Sequence, residues 1–213
     1  MTDGMNIDTN PTDLRRAGAL LTFAGAGFLM LITALEAIYP NYSVHANTVS
    51  DLLAIGTRTS LIGEPLAFAV AASWIGGAYF LFRKSGRRKL LALNLLPGIG
   101  LLLAVVSPEN VNLAIHSAGA VVAFIPGPIA AMLSYRMIRS PFKYFAVALG
   151  SLSLFGTAME FGAYETAFFQ QTLGPGGWER VILYPLLIWL VGFGSLLLAE
   201  SGEVLTREPA RRS

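Results

Sequence analysis

The chain has 213 residues, of which 54% are hydrophobic and 13% are charged. Soluble globular domains carry about 25% charged residues, so this composition argues against a soluble or a disordered chain. A net charge of only +2 argues against a nucleic-acid-binding protein. The sequence has no cysteine, which excludes disulfides, iron–sulfur clusters and thiolate-bound metals.

Six apolar stretches follow one another along the chain, and each meets or approaches the length of about 20 residues that crosses a bilayer. They are residues 17–38, 61–82, 90–106, 114–134, 145–164 and 181–199. Strict alternation of apolar and polar residues is absent, which argues against the strands of a membrane barrel. The sequence therefore predicts an all-α protein, a transmembrane bundle of six helices. One membrane domain, residues 17–199, is expected between the tails 1–16 and 200–213.

The basic residues indicate the orientation of the spans. Thirteen of the fifteen Lys and Arg residues fall in the two tails and in the second and fourth connections between spans, and only Arg58 and Arg180 fall elsewhere. The positive-inside rule then predicts that both termini are cytoplasmic in a multi-pass plasma-membrane protein. The basic cluster at residues 83–89 is expected to anchor this topology, and binding of anionic lipid by the cluster is the alternative.

Proline predicts a break in the fourth span. Residues 124–128 read Phe-Ile-Pro-Gly-Pro, and neither Pro126 nor Pro128 has an N–H for the carbonyls of Val122 and Phe124. The helix is expected to bend there, and Pro126, Gly127 and Pro128 are hinge candidates. A packing kink is the first interpretation, and the hinge of a small transporter is the alternative.

The charged side chains outside the tails and the two basic connections gather, with further polar side chains, at the predicted outer ends of the spans. The first outer connection carries several of them and predicts a short interfacial helix between Asn47 and Gly56. Twelve side chains are candidates to line an outward-facing pocket: Glu36, Tyr42, Ser43, His45, Ser50, Asp51, Glu64, Glu109, His116, Ser117, Glu160 and Tyr164. No ionisable residue is predicted at the bilayer mid-plane, which argues against a proton pump or a channel with a central charged relay.

Three interpretations of this polar layer stay open. The favoured one is a non-catalytic pocket for a lipid headgroup or small amphiphile, in a protein that acts alone or as an accessory subunit of a membrane complex. A metal-dependent hydrolase or lipid-modifying enzyme would use His45, Asp51, His116 and Glu160, although their spacing matches no metal-binding motif. In the third, the side chains only solvate the ends of helices. Catalytic residues stay unknown, and no cofactor is expected. The expected partners are membrane lipids, other membrane subunits or a second copy of the chain.

Residues 42–52, which read Tyr-Ser-Val-His-Ala-Asn-Thr-Val-Ser-Asp-Leu, are followed by Gly56 and an apolar span. This run resembles the signature of the prokaryotic, largely archaeal "domain of unknown function 998" family of membrane proteins. A second matching region is the short connection after the third span, which leads into His116-Ser117 and a helix of small residues with Phe124. The resemblance covers most of residues 20–197 and implies a protein of about six spans. It points to Tyr42, Ser43, Ser50, Asp51 and His116 and implies no established activity.

Overall fold

The computed structural model describes residues 10–83, 88–138 and 140–207, with side chains up to residue 202. Within these residues the chain forms eight α-helices and no β-strand, which confirms the all-α prediction. The helices are α1 (Pro11–Ile38), α2 (Ser60–Phe82), α3 (Arg88–Val106), α4 (Leu113–Phe124), α5 (Pro126–Leu133), α6 (Phe142–Gly162), α7 (Ala167–Thr172) and α8 (Gly174–Arg207). Two short 3-10 helices, Ser50–Leu53 and Ser134–Arg136, lie between them.

Six segments of the described chain are long and apolar enough to cross a membrane. They are α1, α2, α3, the segment Leu113–Arg136 that contains α4 and α5, α6, and Gly174–Gly202 of α8. The prediction of six spans is confirmed, and the chain is a multi-pass membrane protein. The first helix begins earlier than residue 17, because the Asn10 side chain caps it by accepting from Thr12 N at 2.9 Å and Pro11 suits its first turn.

The six spans form a closed ring in chain order. α1 packs against α2, α2 against α3, α3 against α4, α5 against α6, and α6 against α8, which returns to α1. Neighbouring spans are antiparallel, since Gly18 near the start of α1 lies beside Leu198 near the end of α8. The chain therefore turns at two ends of the ring. The carboxylate end carries Glu36, Glu109, Glu160 and Glu179, and the basic end carries Arg83, Arg88, Arg136 and Lys143.

Glycine permits the closest helix contacts in the ring. A Cβ atom built at Gly100 would lie 2.5 Å from the carbonyl oxygen of Gly119, and one at Gly18 would lie 2.7 Å from that of Gly194. These separations are shorter than the contacts that real Cβ atoms make. The close approach of α3 to α4, and of α1 to α8, therefore requires glycine at these positions. Small residues at the interface are how membrane helices gain packing energy without a hydrophobic driving force.

The predicted break in the fourth span is confirmed. α4 ends at Phe124, and Pro126 begins α5, whose first turn contains Gly127 and Pro128. The Oγ1 hydroxyl of Thr157 on α6 donates to the freed carbonyl oxygen of Phe124 at 3.0 Å. A neighbouring helix thus satisfies the backbone group that proline leaves without an N–H partner. Movement at this break stays a prediction.

The first connection, residues 39–59, folds onto the carboxylate end of the ring. Its 3-10 helix buries Leu52 and Leu53. Thr48 and Asp51 bond reciprocally, as in a capping box: Thr48 N donates to Asp51 Oδ2 at 2.9 Å, and Asp51 N donates to Thr48 Oγ1 at 3.0 Å. Gly56, with φ of +92°, lets the chain turn away after this segment. The predicted short helix is thus a 3-10 turn, and its level in the membrane stays a prediction.

Candidate functional site

A cavity of about 380 Å³ lies at the carboxylate end, between the first connection, α4, α6 and α8. Its polar lining consists of Thr48, Ser50, Glu109, His116, Ser117, Glu160, Tyr164 and Glu179. Its apolar lining consists of Leu113, Ala120, Phe124 and Phe161. The volume falls in the range of about 300 to 1,000 Å³ that is typical of small-molecule pockets.

A narrower apolar space of about 60 Å³ borders this cavity and reaches further into the ring. The two share Ser50, His116, Ala120, Phe124 and Glu179, and the narrow space adds apolar side chains such as Phe28, Leu101, Val105 and Leu183. Elsewhere in the ring, large side chains such as the fully buried Trp189 and Phe193 fill the interior. The small residues Ala120 and Ala123 leave this region open. The site therefore has a polar chamber with an apolar extension.

Glu109 lies beside two residues of the first connection. Ser50 Oγ donates to Glu109 Oε2 at 2.8 Å, and the Asp51 carboxyl group is a close neighbour of the Glu109 carboxyl group. Burial raises the pKa of Glu109 from its ordinary value of 4.5 to about 7, and the neighbouring Asp51 raises it as well. Close to neutral pH, this carboxyl group therefore binds and releases a proton.

Two more carboxyl groups face the cavity from membrane-spanning helices. Glu179 of α8 is buried, and its Oε2 accepts a hydrogen bond from Val49 N, which ties α8 to the first connection. The Oε2 atom of Glu160 on α6 is also buried, and it has no hydrogen-bond partner among the residues that the structure describes. Buried polar atoms in folded proteins are nearly always paired with protein, water or ligand. Glu160 is thus the acceptor in this cavity that the protein itself leaves unused.

His116 is held in one orientation at the start of α4. Its Nδ1 atom lies 3.2 Å from the carbonyl oxygens of both Ala104 and Ser107. A carbonyl oxygen only accepts, so Nδ1 carries a proton in this orientation. The imidazole adds a polar ring to a cavity whose described lining contains no Lys or Arg.

The nearest buried cation belongs to a separate cluster. Arg180 of α8 is buried, and its Nη2 lies 2.7 Å from Glu36 Oε1 on α1. Tyr42 OH donates to the same oxygen at 3.3 Å, and the Arg180 guanidinium lies 5.5 Å from the centre of the Tyr42 ring. Arg180 Nη1 also donates to the backbone oxygens of Asn47 and Gly176. This cluster joins α1, α8 and the first connection, and its positive charge is taken up by Glu36.

Half of the predicted candidates come together around the cavity: Ser50, Glu109, His116, Ser117, Glu160 and Tyr164. Asp51 adjoins them as a neighbour of the Glu109 carboxyl group. Thr48 and Glu179 also line the cavity and were not predicted. Glu179 lies just before the apolar stretch that begins at residue 181. Like Glu64 and His116, it is an ionisable residue near the start of a predicted span, and that feature of the sequence could have identified it.

The other candidates lie elsewhere. Glu36 and Tyr42 belong to the Arg180 cluster, while Ser43 accepts from Ala46 N at 3.3 Å within the first connection. The exposed His45 packs its ring against Gly174, and Glu64 of α2 lies outside the cavity lining. Within the described residues, His, Asp and Glu side chains form no group of three that could hold a metal ion. The suggested set of His45, Asp51, His116 and Glu160 therefore does not assemble as one ligand group.

A closed ring of six apolar spans with a polar cavity at its carboxylate end defines a multi-pass helical membrane protein. The chain belongs to the family described as "Protein of unknown function (DUF998)", which matches residues 22–196. The predicted membership of this family is confirmed. No curated protein and no solved structure matches the chain. The family has no established activity, so the function has to be argued from the cavity.

Proposed function

We propose that this protein binds a small amphiphile at the carboxylate end. The observation that carries the proposal is the cavity of about 380 Å³, which combines the unused Glu160 oxygen with apolar walls. The polar end of the ligand would lie among Glu109, Glu160 and Glu179. Its apolar part would lie along Leu113 and Phe124 and extend toward the narrow space behind them.

The charge of the lining favours a cationic ligand. Glu109, Glu160 and Glu179 line the cavity and Asp51 adjoins it, whereas its described lining contains no Lys or Arg. An anionic phosphate or carboxylate would find no Lys or Arg partner in this lining, and each ionised carboxylate would repel it in a partly buried site, where charges are weakly screened. An ammonium group could donate to Glu160 Oε2 and to the carboxylate of Glu109. We therefore propose an amine-bearing amphiphile or headgroup as the ligand class.

The distribution of basic residues supports the sidedness of this proposal. Thirteen of the fifteen Lys and Arg residues lie in the tails and in the connections of the basic end. By the positive-inside rule this end faces the cytoplasm, so the cavity opens toward the outer surface of the plasma membrane. An amphiphile would then enter from the outer leaflet or from outside the cell.

A binding assay on the detergent-purified protein tests the proposal. The probe is fluorophore-labelled decylamine, displaced by unlabelled decylamine or by decyl phosphate of the same chain length. Decylamine is expected to compete about tenfold better or more, because only the ammonium complements the carboxylates. Glu160→Gln is expected to weaken amine binding about tenfold, since it removes the charge of the acceptor.

Two further variants test the cavity itself. Ala120 lines both spaces, so Ala120→Phe fills them and is expected to abolish amine binding. Val121 is partly exposed on the same helix, so Val121→Phe adds the same ring outside the cavity and is expected to leave binding unchanged. Equal binding by the two variants, or stronger competition by decyl phosphate, would refute the proposal.

A further inference from the structure

A second groove lies at the basic end, far from the cavity described above. It has a volume of about 330 Å³ and is lined by Met132, Leu133, Tyr135, Arg136 and Val147. These residues come from the end of the fourth span and the first half of α6. The groove opens on the outer surface of the ring, where membrane helices meet lipid.

Positive charge collects at the mouth of this groove. Arg136 is exposed at the last position of the fourth span. Lys143 Nζ lies 5.2 Å from the ring centre of Tyr135 and 5.0 Å from that of Tyr144. The described residues place no carboxylate within ion-pair distance of either Arg136 or Lys143. Both cations are therefore available to an anionic group outside the protein.

The level of these side chains suits a phospholipid. Arg136 and Tyr135 end a span, where Arg, Lys and Tyr commonly meet lipid headgroups. Met132 lies one helical turn before Arg136, about 6 Å deeper along the helix axis. Apolar side chains thus continue the groove into the bilayer below the charged mouth. Tyr144 and Phe145 beside it are also exposed, as side chains that face acyl chains would be.

We propose that this groove binds an anionic phospholipid. Its phosphate would lie between the Arg136 guanidinium and the Lys143 ammonium, and one acyl chain would follow Met132, Leu133 and Val147. The occupant is a lipid rather than a free phosphate, because the apolar groove gives a soluble anion nothing to bind. The inference is independent of the ligand proposed for the carboxylate end, since the two sites share no residue.

The test compares two lipids with identical acyl chains on the detergent-purified protein. Thermal unfolding is recorded against increasing phosphatidylglycerol or phosphatidylcholine, and apparent affinities are taken from the stabilisation. Wild-type protein is expected to prefer phosphatidylglycerol. The double variant Arg136→Gln/Lys143→Gln is expected to lose about 30-fold of that preference, about fivefold for each basic residue near an anionic lipid.

A matched double variant controls for net charge. Arg15 and Arg58 are exposed and lie outside both the groove and the basic cluster at residues 83–89, so Arg15→Gln/Arg58→Gln removes two charges away from the groove and is expected to keep the preference. Val147→Phe fills the groove, retains both cations and is expected to lose the preference for phosphatidylglycerol. This variant keeps the proposal testable if Arg136→Gln/Lys143→Gln misfolds. An unchanged preference in Arg136→Gln/Lys143→Gln, an equal loss in the control variant, or full competition by inorganic phosphate would overturn the proposal.

Discussion

Replacement of Glu109 by glutamine should remove a pH dependence of stability that the structure assigns to this residue. Glu109 lies in the connection between α3 and α4, where burial and the neighbouring Asp51 raise its pKa from 4.5 to about 7. The folded protein thus binds this proton more tightly than the unfolded chain does. The resulting stabilisation is fully present below pH 4.5, falls as the pH rises toward 7, and is absent above pH 7.

The size of this stabilisation follows from the change in the pKa of Glu109 on folding. At about 1.4 kcal/mol per pH unit, the change from 4.5 to about 7 corresponds to about 3 kcal/mol as an upper limit. Glu109 is only partly buried, so solvent screening reduces the effect to about 1 to 2 kcal/mol. Glutamine keeps an acceptor for Ser50 Oγ and a donor for Asp51 and stays neutral. The variant should therefore be more stable than the wild type at pH 8 by that amount and match it at pH 4.5.

Thermal unfolding of the two proteins in the same detergent, measured between pH 4.5 and 8, provides the assay. Glu165→Gln, at an exposed position in the connection between α6 and α7, controls for the loss of one acidic charge and is expected to run parallel to the wild type. Parallel curves for wild type and Glu109→Gln across the whole range would refute the reasoning, because they would mean that folding leaves the proton affinity of Glu109 unchanged.

Three further predictions concern packing and use thermal unfolding in detergent as the measurement. Arg180→Gln should lower the free energy of unfolding by about 3 kcal/mol because it leaves Glu36 without its cation. The double variant with Glu36→Gln should lose less stability than the sum of the two single changes, and additive losses would contradict a direct ion pair. Gly100→Ala should lower the free energy of unfolding by about 1 to 3 kcal/mol, whereas Gly27→Ala should have little effect because position 27 has room for a methyl group. Similar stability losses in the two variants would contradict the close contact between α3 and α4. Thr157→Val should lower the free energy of unfolding by about 1 kcal/mol because it leaves the carbonyl at the helix break unpaired, whereas Thr157→Ser keeps the hydroxyl and should retain most of the stability. Equal loss in both variants would contradict the assignment of this stability to the hydroxyl group.

Hydropathy predicted the spans well because each apolar run had to be long enough to cross the bilayer. It failed at the start of α8, where residues 174–180 contain glycine, Glu179 and Arg180 and do not look like a membrane helix. This turn is helical because its neighbours hold it. Gly176 N donates to the backbone oxygen of His45 at 3.2 Å, and Arg180 pairs with Glu36 on the neighbouring helix α1. These partners are more than 120 residues away in sequence, so no local pattern could reveal them.

The two histidines show how far the sequence could predict the residues of the site. Both lie at the carboxylate end, and the sequence suggested them as possible partners in one pocket. His116 opens a membrane helix, so its position followed from the span itself, and it lines the cavity. His45 lies in a connection whose path depends on contacts with α8, and that path leaves its side chain exposed.

The sequence by itself determined the number of spans, the helix break at Pro126 and the concentration of Lys and Arg residues in the tails and in the connections of one end. Each of these depends on local chemistry, namely the apolar length of a segment, a missing N–H or the side of a loop. Only the tertiary structure decided which acids share a cavity and which pair with Arg180. That choice depends on how the first connection folds over the ring and on how closely glycine lets the helices approach. Glu36 and Glu160 lie near the ends of α1 and α6, the two helices that flank α8. Packing places the buried Arg180 beside Glu36 but leaves Glu160 Oε2 without a hydrogen-bond partner among the described residues.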